Sequence, residues 1–203
     1  MIHPDTTLRF ISDVIGHGVF ATRPIPRGTI TWALDPLDRV LEPAQIAALP
    51  AGMNFDVEHH AFVGRDGRLI MPWDLGRFMN HSCAPNCLAT ESGYEIAIRD
   101  IAPGEELTND YANLGMQAQE RILCGCGAAS CRGVVTRVDA AKVNAMHKAQ
   151  LSSALALAGS VEQPLLFLLD AAQQLALQAA GTFARAETVC QLQTRKGGRR
   201  QRA

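Results

Sequence analysis

The chain has 203 residues, 47% of them hydrophobic and 5% aromatic, with a formal net charge of −1. This supplies apolar surface for one domain with an extension, and the near-zero charge points away from a nucleic-acid or membrane-surface binder. No run reaches the roughly 18 uninterrupted apolar residues of a membrane span, and the start MIHPDTTLRF lacks the basic-then-apolar pattern of a leader. An intracellular place is therefore expected: cytoplasmic, or nuclear in a eukaryote.

Up to about residue 110 the chain alternates short β-like runs (LRFI, GVFAT, TITWAL, HAFVG, RLIM, YEIAIRD) with the turn-forming stretches PIPRG, RDG, SG and APGEE. A mainly β structure is expected there. Residues 41–58, LEPAQIAALPAGMNFDVE, break the rhythm and read as an insertion with one short helix, Pro43 to Leu49, ended by Pro50. From Asp139 the texture turns helical. DAAKVNAMHKAQLSSALALAG fits one helix with Asp139 as N-cap, and Ser160 with Gln163 makes a capping-box pattern for a second. Leu165, Leu168, Leu169, Ala172, Leu175 and Ala179 then share a helical face. This predicts a helical hairpin over 137–193, buried against the body of residues 1–136 or against a second copy in a homodimer. The final stretch 194–203, TRKGGRRQRA, is basic and glycine-containing and is expected to be disordered.

Four local groupings carry possible chemistry. In IGHGVFAT, Gly16 and Gly18 flank His17, which suits either a hairpin turn or a close backbone approach to a ligand. RFMNHSCAPNC, residues 77–87, packs polar and buried-type residues together without helical or strand periodicity. It therefore holds Asn80, His81 and Asn86 in partly buried backbone. In EELTNDYANL, Tyr111 is either a core residue with a satisfied hydroxyl or an orienting group in a cleft. CGCGAASCRG places Cys124, Cys126 and Cys131 within eight residues, one thiolate short of a closed tetrahedral zinc site. Clustered cysteines in a reducing compartment favour metal over disulfides.

Taken in order, Gly-x-Gly before a strand, Arg-Phe-x-Asn-His-Ser-Cys-x-Pro-Asn, Gly-Glu-Glu-Leu-Thr-x-Asp-Tyr and Cys-x-Cys-x4-Cys resemble the SET-domain protein lysine methyltransferases with a post-SET cysteine cluster. The resemblance covers roughly residues 6–136. It implies a SET-type fold of small sheets (a β-clip) in which the Asn80-His81 and Asp110-Tyr111 segments thread together as a pseudoknot. It further implies S-adenosylmethionine held by Asn80 and His81, helped by Arg77, Phe78 and the Gly16-His17-Gly18 backbone. Tyr111 becomes the catalytic residue that aims at the methyl group and the amine. Cys83 becomes the fourth ligand of a structural Zn2+ beside Cys124, Cys126 and Cys131, leaving Cys87 and Cys190 as free thiols.

Two departures from the family pattern concern the substrate cleft. WALD, Trp32 to Asp35, stands where many members carry Tyr-x-Gly-Glu, and Asn109 occupies a position commonly Phe or Tyr that influences how many methyl groups are added. The expected activity is S-adenosylmethionine-dependent methyl transfer to the ε-amine of lysine in a protein substrate, histone-like or other. The alternative is a catalytically inactive SET-fold module that binds peptide or cofactor. Residues 1–139 contain no lysine and 17 acidic residues, whereas residues 140–203 carry all three lysines. Lys196, in QTRKGGRR, therefore resembles the lysine of a histone-like basic tail, and any nucleic-acid contact is expected through that tail alone.

Overall fold

The computed structural model describes residues 1–64, 66–116 and 120–180, so Cys190, Lys196 and the basic stretch 194–203 lie outside the described residues. Strand β1 (Thr6–Ser12) turns back into β2 (Gly16–Ala21) as an antiparallel hairpin, and Gly16 supplies the positive φ of +78° that closes it. β3 (Ile30–Trp32) and β4 (Arg39–Leu41) follow, then the helical insertion.

That insertion differs from the expected single helix. α1 spans Pro43–Ala47, closed at its start by reciprocal bonds between Glu42 and Gln45. α1 ends before Pro50, as expected, but Pro50 then caps a second helix, α2 (Ala51–His60). A proline is tolerated at this end because the first helical N–H groups have no intrahelical acceptor to lose. AGMNFDVEHH shows no apolar stripe that would have announced a helix.

β5 (Phe62–Val63) and β6 (Leu69–Met71) pair with β4 in the order β4-β6-β5. β7 (Asn80–His81) is followed by β8 (Cys87–Ala89), β9 (Glu95–Ala97) and β10 (Thr108–Asn109). β11 (Arg121–Leu123) and β12 (Val134–Thr136) form a short antiparallel pair around the cysteine-rich loop. The result is a set of small sheets, as the resemblance implies. Two of them position the site: β3-β9-β8, and the parallel pair β7-β10.

In β7-β10, Asn80 lies opposite Thr108 and His81 opposite Asn109. Asn86 binds the two segments together from inside. Its side chain accepts from Thr108 N at 2.8 Å and donates to the Glu106 carbonyl at 2.7 Å, while the residue is 1% exposed. A buried amide satisfied on both its oxygen and its nitrogen fixes the register of two strands that are distant in sequence.

The C-terminal segment packs on the back of β3-β9-β8. α3 (Asp139–Leu155) and α4 (Ala171–Ala180) enclose an irregular stretch, and Ala154, Ala158, Leu165, Leu169 and Leu177 join Ile30, Leu88, Tyr94, Ile96 and Ile98 in one buried cluster. The expected apolar face thus meets the body of its own chain. Its composition differs from expectation: Leu165 to Leu169 lie in a turn that includes a 3-10 segment (Leu166–Leu168), and Leu175 is exposed. Ser160 and Gln163 do not form a capping box. Gln163 accepts from Ile30 N and donates to the Gly28 carbonyl, tying the extension to β3. The reciprocal capping pair belongs instead to Asp170 and Gln173, just before α4. Asp139 lies in the first turn of α3, where its carboxylate accepts from Thr136, and Val138 takes the cap position.

Burial on this face sets a testable contrast. Leu165→Ala is expected to lower stability by about 2–5 kcal/mol, the usual range for emptying a packed leucine site. Phe167→Ala, at a residue 70% exposed, is expected to stay within about 0.5 kcal/mol. Equilibrium denaturation of both variants checks the pair.

Candidate active site

The stretch from Arg77 to Cys87 is set up by Asp74, whose carboxylate accepts from Gly76 N and starts the 3-10 turn Leu75–Phe78. Beyond it, Asn80 Nδ2 donates to the His17 carbonyl at 2.9 Å and to Glu106 Oε1 at 2.7 Å. The His17 ring stands edge-on between Phe10 and Phe78. Gly16, His17, Gly18, Phe78 and Asn80 are thereby brought to one junction, with the Arg77 guanidinium 5.3 Å from the Phe78 ring.

The two glycines have different reasons to be there. A Cβ on Gly18 would lie 2.4 Å from Glu106 Oε1 and 3.0 Å from Asn80 Nδ2, so a larger residue would push apart the two side chains that bond to each other here. At Gly16 a Cβ would meet nothing within 4 Å, which leaves open space at the loop. That space, and the buried Arg77 Nε with no partner among the described residues, fit a bound ligand beside this junction.

The His81 ring is bound within the protein's own network. Its Nδ1 accepts from Tyr111 N at 3.1 Å, so the proton is on Nε2, which faces Cys83 Sγ at 3.3 Å. Burial lowers its pKa and favours this neutral form. Both ring nitrogens are thus engaged by the protein.

Tyr111 donates its hydroxyl to the Met79 carbonyl at 2.7 Å, and its ring lies 5.4 Å from that of His81. Burial, reinforced by the nearby Glu95 and Glu106 charges, raises the phenol well above its ordinary range. The group is an anchored hydroxyl rather than a base.

The preceding residue, Asp110, is the hub that motif reading overlooked. It accepts from Arg132 Nη2 at 2.6 Å and from Ala112 N, and faces His147 Nε2 at 3.5 Å. Desolvation of the carboxylate is more than offset by His147, Arg132 and His81, which together lower its pKa. His147, held also by Gln150, is raised chiefly by Asp110. It comes from the middle of α3, where a lone polar residue carries no motif signal.

Cys83, Cys124, Cys126 and Cys131 place their sulfur atoms within 4.8 Å of one another. Two of the separations, Cys83 to Cys124 and Cys124 to Cys131, are 3.7 Å. A tetrahedron with metal–sulfur bonds of about 2.3 Å has edges of about 3.8 Å, so the cluster fits a four-thiolate metal site. Backbone N–H groups support it: Cys83 N donates to Cys126 Sγ and Arg132 N to Cys83 Sγ, each at 3.4 Å. Cys87 stands apart, fully buried, and burial pushes its thiol far up.

Between the insertion and the β9 face lies a cleft of about 630 Å³, lined by Trp32, Phe62, Arg77, Glu95, Asn109 and Tyr111 among others. Of the buried side-chain atoms left without a hydrogen-bond partner among the described residues, Trp32 Nε1 and Arg77 Nε belong to residues lining it, and on the same wall the Asn109 amide faces the Glu95 carboxyl. A few polar groups on the wall of a largely apolar cleft suit the orientation of a polar ligand. Trp32 opens the WALD stretch already noted as a departure at the substrate cleft, whereas Glu95 was not singled out, because a glutamate within a β-like run reads as an ordinary strand residue.

Residues 16–112 match the SET domain family. The chain is 48% identical over 67 residues to a histone-lysine N-methyltransferase, H3 lysine-4 specific, of Schizosaccharomyces pombe, covering 30% of this chain and 7% of that protein. It is 32% identical over 138 residues to histone-lysine N-methyltransferase ash1 of Drosophila melanogaster, covering 63% and 6%. A third relative, the probable histone-lysine N-methyltransferase set-23 of Caenorhabditis elegans, is 42% identical over 67 residues, 29% of this chain and 28% of that one. The chain thus spans less than a third of the length of each of these relatives. No described helix is long and apolar enough to cross a membrane.

Glu95 carries a measurable cost. Burial raises its carboxyl from 4.5 to about 7, with the Asn109 amide offsetting part of the effect. Between those values the folded chain holds a proton that the unfolded chain has lost, so stability falls as pH rises through that window and stays lower above it. Glu95→Gln removes the penalty. It is expected to stabilise the protein by about 3 kcal/mol at pH 8, with the gain vanishing below about pH 4.5. Denaturation midpoints measured across that range check both the sign and the window.

Proposed function

Because this chain carries a SET domain, we propose that it transfers methyl groups from S-adenosylmethionine to the ε-amine of a lysine in a protein substrate. The observation that supports this most is the Tyr111 hydroxyl, anchored on the Met79 carbonyl in a residue that lines a cleft bordered by unpartnered polar groups. When bound, the cofactor supplies an electrophilic methyl group on a sulfonium cation. Gly16, His17, Gly18, Arg77, Phe78, Asn80 and His81 would hold it.

The protein's own task is to present a neutral amine in one orientation. With a pKa near 10.4, deprotonating a lysine at pH 7 costs about 4.6 kcal/mol in water. Burial in a cleft walled by Trp32 and Phe62 reduces that cost, since desolvation disfavours ammonium. Tyr111 orients: its O–H is committed to Met79, which leaves oxygen lone pairs free to accept from the amine and to fix its approach. Proton abstraction by this phenol is disfavoured by its raised pKa.

The four cysteines would hold a structural zinc that leaves no open coordination position, pinning the β11-β12 loop against Cys83 and thus against β7. The histone-lysine activity named for the relatives favours a histone-like basic tail as substrate. An intracellular setting, where thiols stay reduced, accords with this reading.

Tyr111→Phe is expected to lower kcat/KM by about a hundredfold or more, at the low end of what one positioned proton-bearing group contributes. Cofactor affinity should stay within several-fold, because only the reacting geometry loses a contact. Kinetics with a lysine-bearing protein, paired with calorimetric titration of the cofactor, separate the two. For the metal, one zinc per chain is expected by elemental analysis, and Cys126→Ser is expected to lose zinc and transfer activity together.

A further inference from the structure

The mechanism above leaves His147 without a task. It belongs to α3, outside the residues 16–112 that match the SET domain family, and it is 5% exposed. Its partner is Asp110, the neighbour of Tyr111, whose carboxylate is held on both oxygens. Oδ1 accepts from Ala112 N at 3.1 Å and from Arg132 Nη2 at 2.6 Å, while Oδ2 faces His147 Nε2 at 3.5 Å. The bond to Ala112 makes Asp110 the cap of the 3-10 turn Tyr111–Asn113. The direction of this carboxylate thus sets the start of the turn that carries Tyr111.

The two partners of Asp110 have different attachments. Arg132 follows Cys131 and its N–H donates to Cys83 Sγ, so its place depends on the cysteine loop. His147 hangs from a helix anchored through Ala154 in the cluster behind β3-β9-β8, and its ring is oriented by Gln150 Oε1, 2.8 Å from Nδ1 and one turn further along. A carboxylate only accepts, so the ring nitrogen that faces it carries a proton. Arg132 already supplies charge to Asp110 at short range. What His147 adds is direction: with Oδ2 held from α3, the carboxylate does not swing about Oδ1 toward Arg132.

We propose that His147 is a positioning residue for the transfer reaction, fixing through Asp110 the turn that aims the Tyr111 hydroxyl. The reaction it serves rests on the methyltransferase reading; its hold on the turn rests on the geometry alone. The route from His147 to the phenol is short. Asp110 takes the N–H of Ala112, Tyr111 N donates to His81 Nδ1, and the Tyr111 hydroxyl donates to the Met79 carbonyl, so the tyrosine is fixed at its backbone and at its tip. Loosening Asp110 releases the first of these three restraints. Because the hydroxyl lies at the far end of the side chain, a small rotation of the turn is enlarged where the amine is met, and a misplacement of about 1 Å costs about a hundredfold in rate. The residues that match the SET family therefore do not aim this tyrosine unaided. A helix beyond them supplies one of its restraints.

His147→Met and His147→Gln in the full chain separate direction from packing. Both residues suit a helix and fill a similar volume, but only glutamine offers an N–H to the Asp110 carboxylate. With a basic, lysine-bearing tail peptide of histone type as substrate, methionine is expected to lower kcat about tenfold or more, while calorimetric titration shows S-adenosylmethionine affinity little changed. It is also expected to shift the Tyr111 and Ala112 backbone amide signals of the 15N-labelled protein. Glutamine is expected to restore most of kcat and to return both signals. An unchanged kcat in the methionine variant, or equal losses in the two variants, overturns the proposal. Should the methionine variant misfold, Gln150→Ala, at an exposed position, takes its place: removing the group that orients the ring is expected to lower kcat severalfold and to move the same signals, and no change in either overturns the proposal. If the parent protein transfers no methyl group to any lysine peptide, the methyltransferase reading falls and the amide signals test His147 alone. A shift with methionine that glutamine reverses then keeps its hold on the turn, and unmoved signals overturn it.

Discussion

The parallel pairing of Asn80-His81 with Thr108-Asn109, locked by the buried Asn86 amide, is the constraint on which the rest of the molecule depends. Two residues on each strand suffice because Asn86 supplies side-chain bonds where a longer ladder would supply backbone ones. Every part of the candidate site is counted from that pair. One residue after Asn109 comes Asp110, then Tyr111; two after His81 comes Cys83. A slip of one residue would exchange the buried Asn109 for its neighbour and separate Tyr111 N from His81 Nδ1.

From this pair, order spreads in two directions. Toward the cysteines, the His81 Nε2–H and Arg132 N point at Cys83 Sγ, so the thiol cluster and the tyrosine segment share a histidine. Toward the C-terminus, His147 of α3 reaches Asp110, while Ala154, Leu165, Leu169 and Leu177 cover the back of β3-β9-β8. The C-terminal segment is thus more than an appended hairpin: it supports the sheet whose other face carries Glu95 and adds a charged partner beside Tyr111.

Local signals made much of this legible. Strand runs, the turn at Gly16 and the long helix from Asp139 follow from periodicity and punctuation, which depend on neighbours in sequence. What could not be read depended on distant partners. Gln163 looks like a capping residue until Ile30 N and the Gly28 carbonyl compete for it, and α2 carries no apolar stripe to announce it. Cys83 emerged as a fourth ligand only through family resemblance, since nothing in the spacing links it to a loop some forty residues away. Asp110, His147 and Glu95 escaped for the same reason: their meaning lies in burial and in which charges face them. Asn109 was noticed as unusual, but its bond to the buried Glu95 carboxyl joins residues that no local pattern links.

The account holds that this fold positions a lysine amine for methylation, and one measurement bears on it most directly. The purified chain, shown to be folded, is incubated with S-adenosylmethionine carrying a labelled methyl group and with a basic, lysine-bearing tail peptide of histone type. Peptide mapping then locates the label. The account predicts labelled methyl on a lysine ε-amine. A folded chain that binds the cofactor, holds its zinc and engages the peptide but leaves every lysine unlabelled would contradict it, and would make the protein a binding module of the same fold.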